Sequence, residues 1–289
     1  MKDFIITADS NSDLPESYIK ENNIVIIPHY YDLEGITYGS DITLTPKEFY
    51  DKMREGKMPT TMASNPDVIH RTFQTLIEQG YDILHISFSS ALSGGYSNVS
   101  VGAQEICEEN PEAKIIVLDT LNASLAEGMF IRKAVAMRTE GKTLDEVVTW
   151  LEEHKQEFCV RFTVDDLGHL HRGGRISKAT AIIGSMINIK PILYVNPAGE
   201  LVSLSTARGR KKSLSVICNE MLDSMGKYKD SDDAIGIVHG DSPEDAAYLA
   251  NLIREQLPKK EIIINTIAPS IGAHSGPGAI GLCYMGEKR

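Results

Sequence analysis

The 289-residue chain has only four cysteines, Cys107, Cys159, Cys218 and Cys283, and no two of them stand in a C-x-x-C pair. Neither a zinc site nor a disulfide framework can be built on that spacing, so reduced, packed thiols are expected. Long hydrophobic runs are also missing. The best stretch, residues 181–195, is interrupted by Ser185, Asn188, Lys190 and Pro191, which excludes a membrane-spanning helix there. Positive charge is short: 29 Lys plus Arg face 40 Asp plus Glu, a formal net charge of -11. Binding to a phosphate backbone draws its affinity from clustered Lys and Arg, so no nucleic-acid partner is expected. Met1-Lys2-Asp3-Phe4 does not open a secretory leader. No G-x-x-x-x-G-K-S/T loop occurs, which argues against P-loop nucleotide chemistry. The expectation is a soluble, cytoplasmic protein without stable membrane insertion.

What is present is ordinary globular composition, 42% hydrophobic and 24% charged, in which short β-rich runs alternate with helix-period segments. That alternation marks an α/β fold with a mainly parallel sheet. Residues 4–7, 24–27, 83–86 and 115–118 read as strands, with helical spacing over 66–80 and 97–108 between the later ones. Residues 124–138 and 144–154 read as two successive helices. Beyond them, 158–164 reads as a strand, and Asn196-Pro197-Ala198-Gly199 as a turn joining strands 191–195 and 201–204. A helix over 213–225, a strand at 235–238, a helix over 243–257 and a strand at 262–264 lead into a Gly-rich end. The pattern divides near residue 155 into two α/β domains, N-terminal over 1–155 and C-terminal over 156–289.

Several strand ends run into loops dense in hydroxyls and glycine: Asp9-Ser10-Asn11-Ser12, residues 89–97, residues 119–124, and His239-Gly240-Asp241-Ser242. Residues 60–66 form a similar loop before a helix. In an open α/β sheet, ligands bind beyond the carboxyl ends of the strands, where free backbone N–H groups and helix dipoles favour an anion. Any one such loop is better explained by N-capping; several together point to a shared polar site.

Ala91-Leu92-Ser93-Gly94-Gly95 is one residue short of the G-x-S-x-G nucleophile elbow, and three roles are open to Ser93. As a nucleophile it would join Asp119 or Asp241 and His274 in the Ser-acid-His order of α/β-hydrolases. Against this, Ala91 replaces the first glycine and no HGGG-like segment supplies an oxyanion hole. A phosphate cradle lacks its fingerprint, because the G-x-G-x-x-G match at 276–281 is followed by neither the helix nor the strand that it requires. As a donor that does not react, Ser93 would share a carboxylate with the Gly94 N–H, a hydroxyl such as Thr61 and the His274 imidazole. Neutral donors hold an anion without a desolvated ion pair, and Gly94 and Gly95 permit close backbone approach.

Seven segments, in order and spanning essentially the whole chain, resemble the DegV family. They are Thr7-Ala-Asp-Ser-Asn-Ser-Asp-Leu-Pro15, Pro59-Thr-Thr, Ser89-Ser-Ala-Leu-Ser-Gly-Gly-Tyr96, Leu118-Asp-Thr-Leu-Asn-Ala-Ser124, Leu170-His-Arg-Gly-Gly-Arg-Ile-Ser177, Ile189-Lys-Pro-Ile192 and Gly272-Ala-His-Ser-Gly-Pro-Gly278. The resemblance implies two α/β domains with a long-chain fatty acid held between them, and no catalysis by the chain itself. It implies Thr61 and Ser93 as carboxylate ligands, with the Gly94 N–H and His274 at the same head group. It further implies a separate ATP-dependent fatty acid kinase subunit that converts the carboxylate to an acyl phosphate, which can feed phospholipid synthesis. No cofactor is implied beyond the bound fatty acid. Two positions depart from the family pattern. Met62 and Ala63 intervene before Ser64, which leaves Ser64 secondary to Thr61, and Gly95 stands where a threonine is frequent. The competing reading is a serine hydrolase using Ser93 and His274.

Four further groups complete the candidates. His169-Leu170-His171 lacks a third ligand at helical spacing, so no metal site is expected. Arg172 and Arg175 flank a Gly-Gly turn and read either as surface pairing or as support for the head group. Arg208, Arg210, Lys211 and Lys212 form a basic patch on an acidic chain, either a solvated helix start or a docking surface for the kinase, with Arg208 and Arg210 leading. Residues 181–189, rich in Ile with Met186, read as acyl-chain lining or as plain core.

Overall fold

The computed structural model describes residues 3–177, 188–287 and 289. Strands β1 (Phe4–Asp9) and β2 (Val25–Ile27) pair in parallel, with Thr7 opposite Val25. The chain then makes an excursion absent from the sequence reading. Strands β3 (Tyr30–Leu33), β4 (Ile36–Tyr38) and β5 (Thr60–Met62) form a separate antiparallel sheet in the order β4-β3-β5, interrupted by the Pro46–Arg54 helix. Strands of three or four residues are too short to display an alternation. The helix is signalled locally: Thr45 and Glu48 cap it reciprocally, and Pro46 stands at its first turn.

The main sheet resumes with β6 (Asp82–Ser87) and β7 (Ile115–Asp119), giving the parallel order β2-β1-β6-β7. The Pro66–Glu78 helix buries Ile69, Phe73 and Leu76, a 3.6-period stripe, beneath that sheet. A 3₁₀ turn, Lys155–Glu157, links the Leu144–His154 helix to the first strand of the second sheet.

A second, six-stranded sheet follows: β8 (Phe158–Thr163), β9 (Ile189–Val195), β10 (Leu201–Arg208), β11 (Ile235–His239), β12 (Ile262–Thr266) and β13 (Ile280–Met285). Its order is β10-β9-β8-β13-β11-β12, with β11 and β12 parallel and the other neighbours antiparallel. The last strand in sequence thus lies in the middle of the sheet. All of β13 is buried, and its unbroken Ile-Gly-Leu-Cys-Tyr-Met run is what a strand covered on both faces requires. Without alternation, it was indistinguishable from a Gly-rich tail.

The α/β class is as expected, with a parallel first sheet and a mixed second one. One core runs from Phe4 to Met285 across both sheets. The Leu125–Thr139 helix packs between them, its Phe130 ring stacked 3.7 Å from that of Phe158. The four cysteines are free, and Cys159, Cys218 and Cys283 are buried. Among the described residues, no helix is long and apolar enough to cross a membrane, and no group of three or more His, Cys, Asp or Glu could hold a metal.

Candidate functional site

Between the loops that follow β1, β6 and β7 and one face of the second sheet lies a cavity of about 1050 Å³, its open mouth included. Thr61, Ser93, Gly94, Arg175 and His274, all singled out from the sequence, line it.

Thr61 and His274 are 213 residues apart, yet Thr61 Oγ1 lies 2.9 Å from His274 Nε2. The three-stranded sheet makes this meeting. Thr61 on β5 pairs with Tyr31 on β3, and Tyr50 of the adjoining helix donates its hydroxyl to the Ile267 carbonyl at 3.1 Å. A Cβ on Gly272 would stand 2.5 Å from that hydroxyl, so the helix Pro269–Ser275 that carries His274 is seated directly against Tyr50. On its other side, a Cβ on Gly173 would fall 2.1 Å from His274 Nδ1: the Gly-Gly turn leaves room for the imidazole. Burial first, and then the Arg175 charge, push the His274 pKa down to about 4. The ring is therefore neutral near pH 7. When its Nε2–H donates to Thr61, the threonine proton is free for a ligand oxygen.

Ser93 Oγ accepts the Gly95 N–H at 3.1 Å, which leaves its own proton free to be donated. Gly94 ends the loop at the N-terminus of the Gly95–Glu109 helix with φ -71, and a Cβ there would meet nothing within 4 Å. Neither packing nor backbone demands glycine at 94; its absence of a side chain keeps the amide open to an approaching group. Gly95 differs. A Cβ there would lie 2.9 Å from His29 Cε1, which gives a steric reason for glycine where the family often has threonine.

Arg175 ties the two sides together. Its Nε donates to the Leu92 carbonyl at 3.0 Å, and its Nη1 donates to the carbonyl of Gly173. The other candidates lie elsewhere. Arg172 is exposed, its Nη2 2.9 Å from His169 Nδ1, and does not line the cavity. Ser64 is buried behind Ala63, its Oγ without a hydrogen-bond partner among the described residues. Arg208 is exposed at the end of β10. Arg210 turns inward, its Nε on Asp245 Oδ2 at 2.8 Å and its Nη2 on the Gly278 carbonyl. It is a structural anchor in this fold, which removes it from a free docking surface.

A Ser-acid-His triad is not assembled. His274 Nε2 is taken by Thr61, Asp241 Oδ2 holds Arg54 Nη1 at 2.5 Å, and Asp119 Oδ1 accepts the Leu121 N–H at 2.9 Å.

Sequence reasoning missed the buried acids beneath the polar end. Asp9 is fully buried with Oδ1 3.2 Å from His29 Nε2 and 3.6 Å from His85 Nε2. Burial alone would raise its pKa, but the His29 and His85 imidazoles against it hold the carboxyl far below the usual range. Asp13 accepts the Ala268 N–H at 2.8 Å and bonds Ser124, and burial pushes it up to about 7. Glu127, also fully buried, is driven well above the ordinary carboxyl range by burial and by Asp9 and Asp13. The Asp9–Asp13 loop was visible as a polar turn; nothing in the sequence separated these roles from capping.

Asn11, His29, Ser124, Ser270 and Ser275 also line the cavity, and the wall formed by the second sheet is apolar. Val160 and Phe162 alternate along β8, and Val195, Val238 and Ile280 continue the wall on β9, β11 and β13. Gly281 stands opposite both Phe162 and Val238. Of the run expected to line an acyl chain, residues 181–187 lie outside the described residues.

Comparison with known proteins fits this geometry. Residues 3–287 match the family model described as "Uncharacterised protein, DegV family". A DegV domain-containing protein of Clostridium perfringens is 42% identical over 291 residues, covering 100% of this chain and 99% of its own. A DegV family protein from Thermus thermophilus, solved for its fatty acid binding, superposes with a TM-score of 0.86 at 30% identity, covering 99% of this chain and 100% of its own. DegV from Bacillus subtilis, described as a fatty acid binding protein, superposes at 0.85 with 27% identity and the same coverages.

Proposed function

This chain belongs to the DegV family, and from that premise we propose that it binds a long-chain fatty acid in the cavity between its sheets and presents the carboxylate at the mouth. One observation carries the reading: the cavity gathers polar groups on the loop side, among them Thr61, Ser93, the Gly94 amide, Arg175 and a neutral His274, and is walled by hydrocarbon along the second sheet. That is the polarity of a fatty acid laid lengthwise. Hydroxyl and amide donors give charge-assisted bonds to a carboxylate, and an apolar slot takes an alkyl chain without directional demands.

The chain acts as a carrier, with the acyl carboxylate offered to a separate ATP-dependent kinase subunit that forms the acyl phosphate for phospholipid synthesis. Gly94 is exposed at the head-group end, which supports access from outside. Arg208, Lys211 and Lys212, all exposed, supply the positive surface on which an acidic carrier would meet that partner.

The test is native mass spectrometry of the purified protein followed by solvent extraction. A non-covalent adduct that extracts as a long-chain fatty acid supports the reading. An empty protein that does not retain added palmitate, or a covalent Ser93 adduct formed from an activated ester, overturns it.

A further inference from the structure

A chain of close polar contacts starts from Asp9 at the polar end, and three of its members, His29, Asn11 and Ser270, line the cavity. Asp9 Oδ2 accepts Ser87 Oγ at 3.1 Å and the Phe88 N–H at 2.8 Å, fixing the start of the loop that ends in Ser93 and Gly94. Its Oδ1 faces His29 Nε2 at 3.2 Å. His29 Nδ1 lies 3.1 Å from the Asn11 amide nitrogen, and Asn11 Oδ1 takes the Ser270 hydroxyl. Ser270 belongs to the helix that carries His274. The His29 ring itself lies under Gly95, leaving no space for a Cβ there.

We propose that Asp9 is a positioning residue for the head-group site: through His29, Asn11 and Ser270 it sets the spacing between the Ser93–Gly95 loop and the His274 helix. The polarity follows from donor counting. An ionised Asp9 can only accept, so His29 turns a protonated Nε2 toward it, and the Asn11 amide nitrogen 3.1 Å from Nδ1 makes that second ring nitrogen the acceptor. The Asn11 amide must then donate to Nδ1, which turns its carbonyl toward Ser270. Every group has one orientation, so the loop and the helix are held in one register. The two imidazoles against Oδ1, which keep Asp9 ionised despite complete burial, support this order. His85 closes the other side of Oδ1 at 3.6 Å, its Nδ1 2.9 Å from Thr7 Oγ1.

The ligand arm of the test rests on the fatty-acid reading; the spectroscopic arm does not. In ¹⁵N-histidine-labelled protein, long-range ¹H–¹⁵N correlation should show His29 protonated on Nε2 with Nδ1 as an acceptor, its signals assigned by loss in His29→Gln. In Asp9→Asn, the new amide donor should drive the proton to Nδ1 and weaken palmitate retention by about tenfold or more. Ser270→Ala should keep the Nε2 tautomer yet weaken palmitate retention by roughly three- to tenfold, and Ser270→Thr should restore it. That pair carries the test if Asp9→Asn does not fold. A wild-type His29 protonated on Nδ1 or on both nitrogens overturns the proposal, as does a tautomer switch with unchanged retention, or Ser270→Ala with wild-type retention. A wild-type protein with the Nε2 tautomer that binds no fatty acid would refute the fatty-acid reading while supporting the ordered chain.

Discussion

At the polar end of the cavity, Thr61, Ser93, Arg175 and His274 come from four separate segments and are fixed by pairwise bonds. At the apolar end, Val160, Phe162, Val238 and Ile280 come largely from one face of one sheet and are fixed by its register. The first arrangement is specified by particular contacts, each of which can be lost singly. The second is specified by a repeating backbone geometry, where contributions add with buried area and no single side chain decides. The polar end also rests on buried carboxyls, and none of the apolar wall residues named here is titratable. The two ends should therefore respond differently to pH, to hydroxyl deletion and to ligand length.

The largest expected effect is on the pH dependence of stability. Asp13 has a pKa of about 7 in the fold and close to 4 when unfolded. Between those values the native state holds a proton that the unfolded chain has released, so stability falls as pH rises from about 4 to about 7 and is level above. Three units correspond to on the order of 4 kcal/mol. Glu127, shifted the same way, extends the loss upward. Asp9, shifted the other way, adds stability only as pH rises below about 4. Asp13→Asn should make the fall between pH 4 and 7 shallower in urea denaturation, with the Glu127 contribution remaining. An unchanged slope would detach the acid cluster from the folding cost of the polar end.

Next in size is the loss of one donor. Ser93→Ala removes a hydroxyl whose proton is not used within the loop, and should weaken fatty-acid retention by roughly 1.5–3 kcal/mol. Melting of the ligand-free protein should barely move, because the residue is only half-buried and the hydroxyl makes one backbone contact.

The two ends also differed in how far the sequence disclosed them. Ser93, Gly94 and the Asp9–Ser12 turn stood out because hydroxyls and glycines gathered directly after apolar strand runs. The direct pairing of Thr61 with His274 is invisible to spacing at 213 residues; the donor reading and the family resemblance put both at one head group without joining them, and the small sheet that enforces the pairing was missed because its strands are three and four residues long. His29 carried no signal, being a lone histidine whose partners lie on other segments. The apolar wall was illegible for a different reason. Val160 and Phe162 follow the same alternation that any core strand shows, so a surface facing a ligand and one facing another layer of protein look alike until the sheet is assembled. Arg210 failed conversely: in sequence it belongs to a basic run, whereas in the fold it is spent on Asp245 and the Gly278 carbonyl.

A smaller, graded effect tests the apolar end. Across saturated acids of increasing length, each methylene that enters the slot should add about 0.8 kcal/mol to binding. Ser93→Ala should lower the whole series without changing its slope, since it acts on the head group alone. Gly281→Val should do the reverse. A Cβ at 281 would stand 2.9 Å from Val238 Cγ2, forcing that side chain over the slot, so gains should stop at a shorter chain while short acids bind as before. Competition against a fluorescent fatty acid gives both slope and intercept. A slope change in Ser93→Ala would mean the two ends are not independent.

The smallest expected effect lies outside both ends. Arg208 is exposed and its neighbours Lys211 and Lys212 are too, so Arg208→Glu should change neither melting nor fatty-acid affinity by more than about 0.5 kcal/mol. The same reversal at Arg210 would leave Asp245 facing a second carboxylate and so would confound docking with unfolding. If the basic surface guides a kinase partner, Arg208→Glu should slow acyl-phosphate formation by a factor that shrinks as salt is raised, because exposed charges act mainly on encounter and are screened beyond about 10 Å at 0.1 M. A variant with wild-type turnover at low salt would leave the polar end itself, rather than the surface beside it, as the ground on which any partner must recognise this protein.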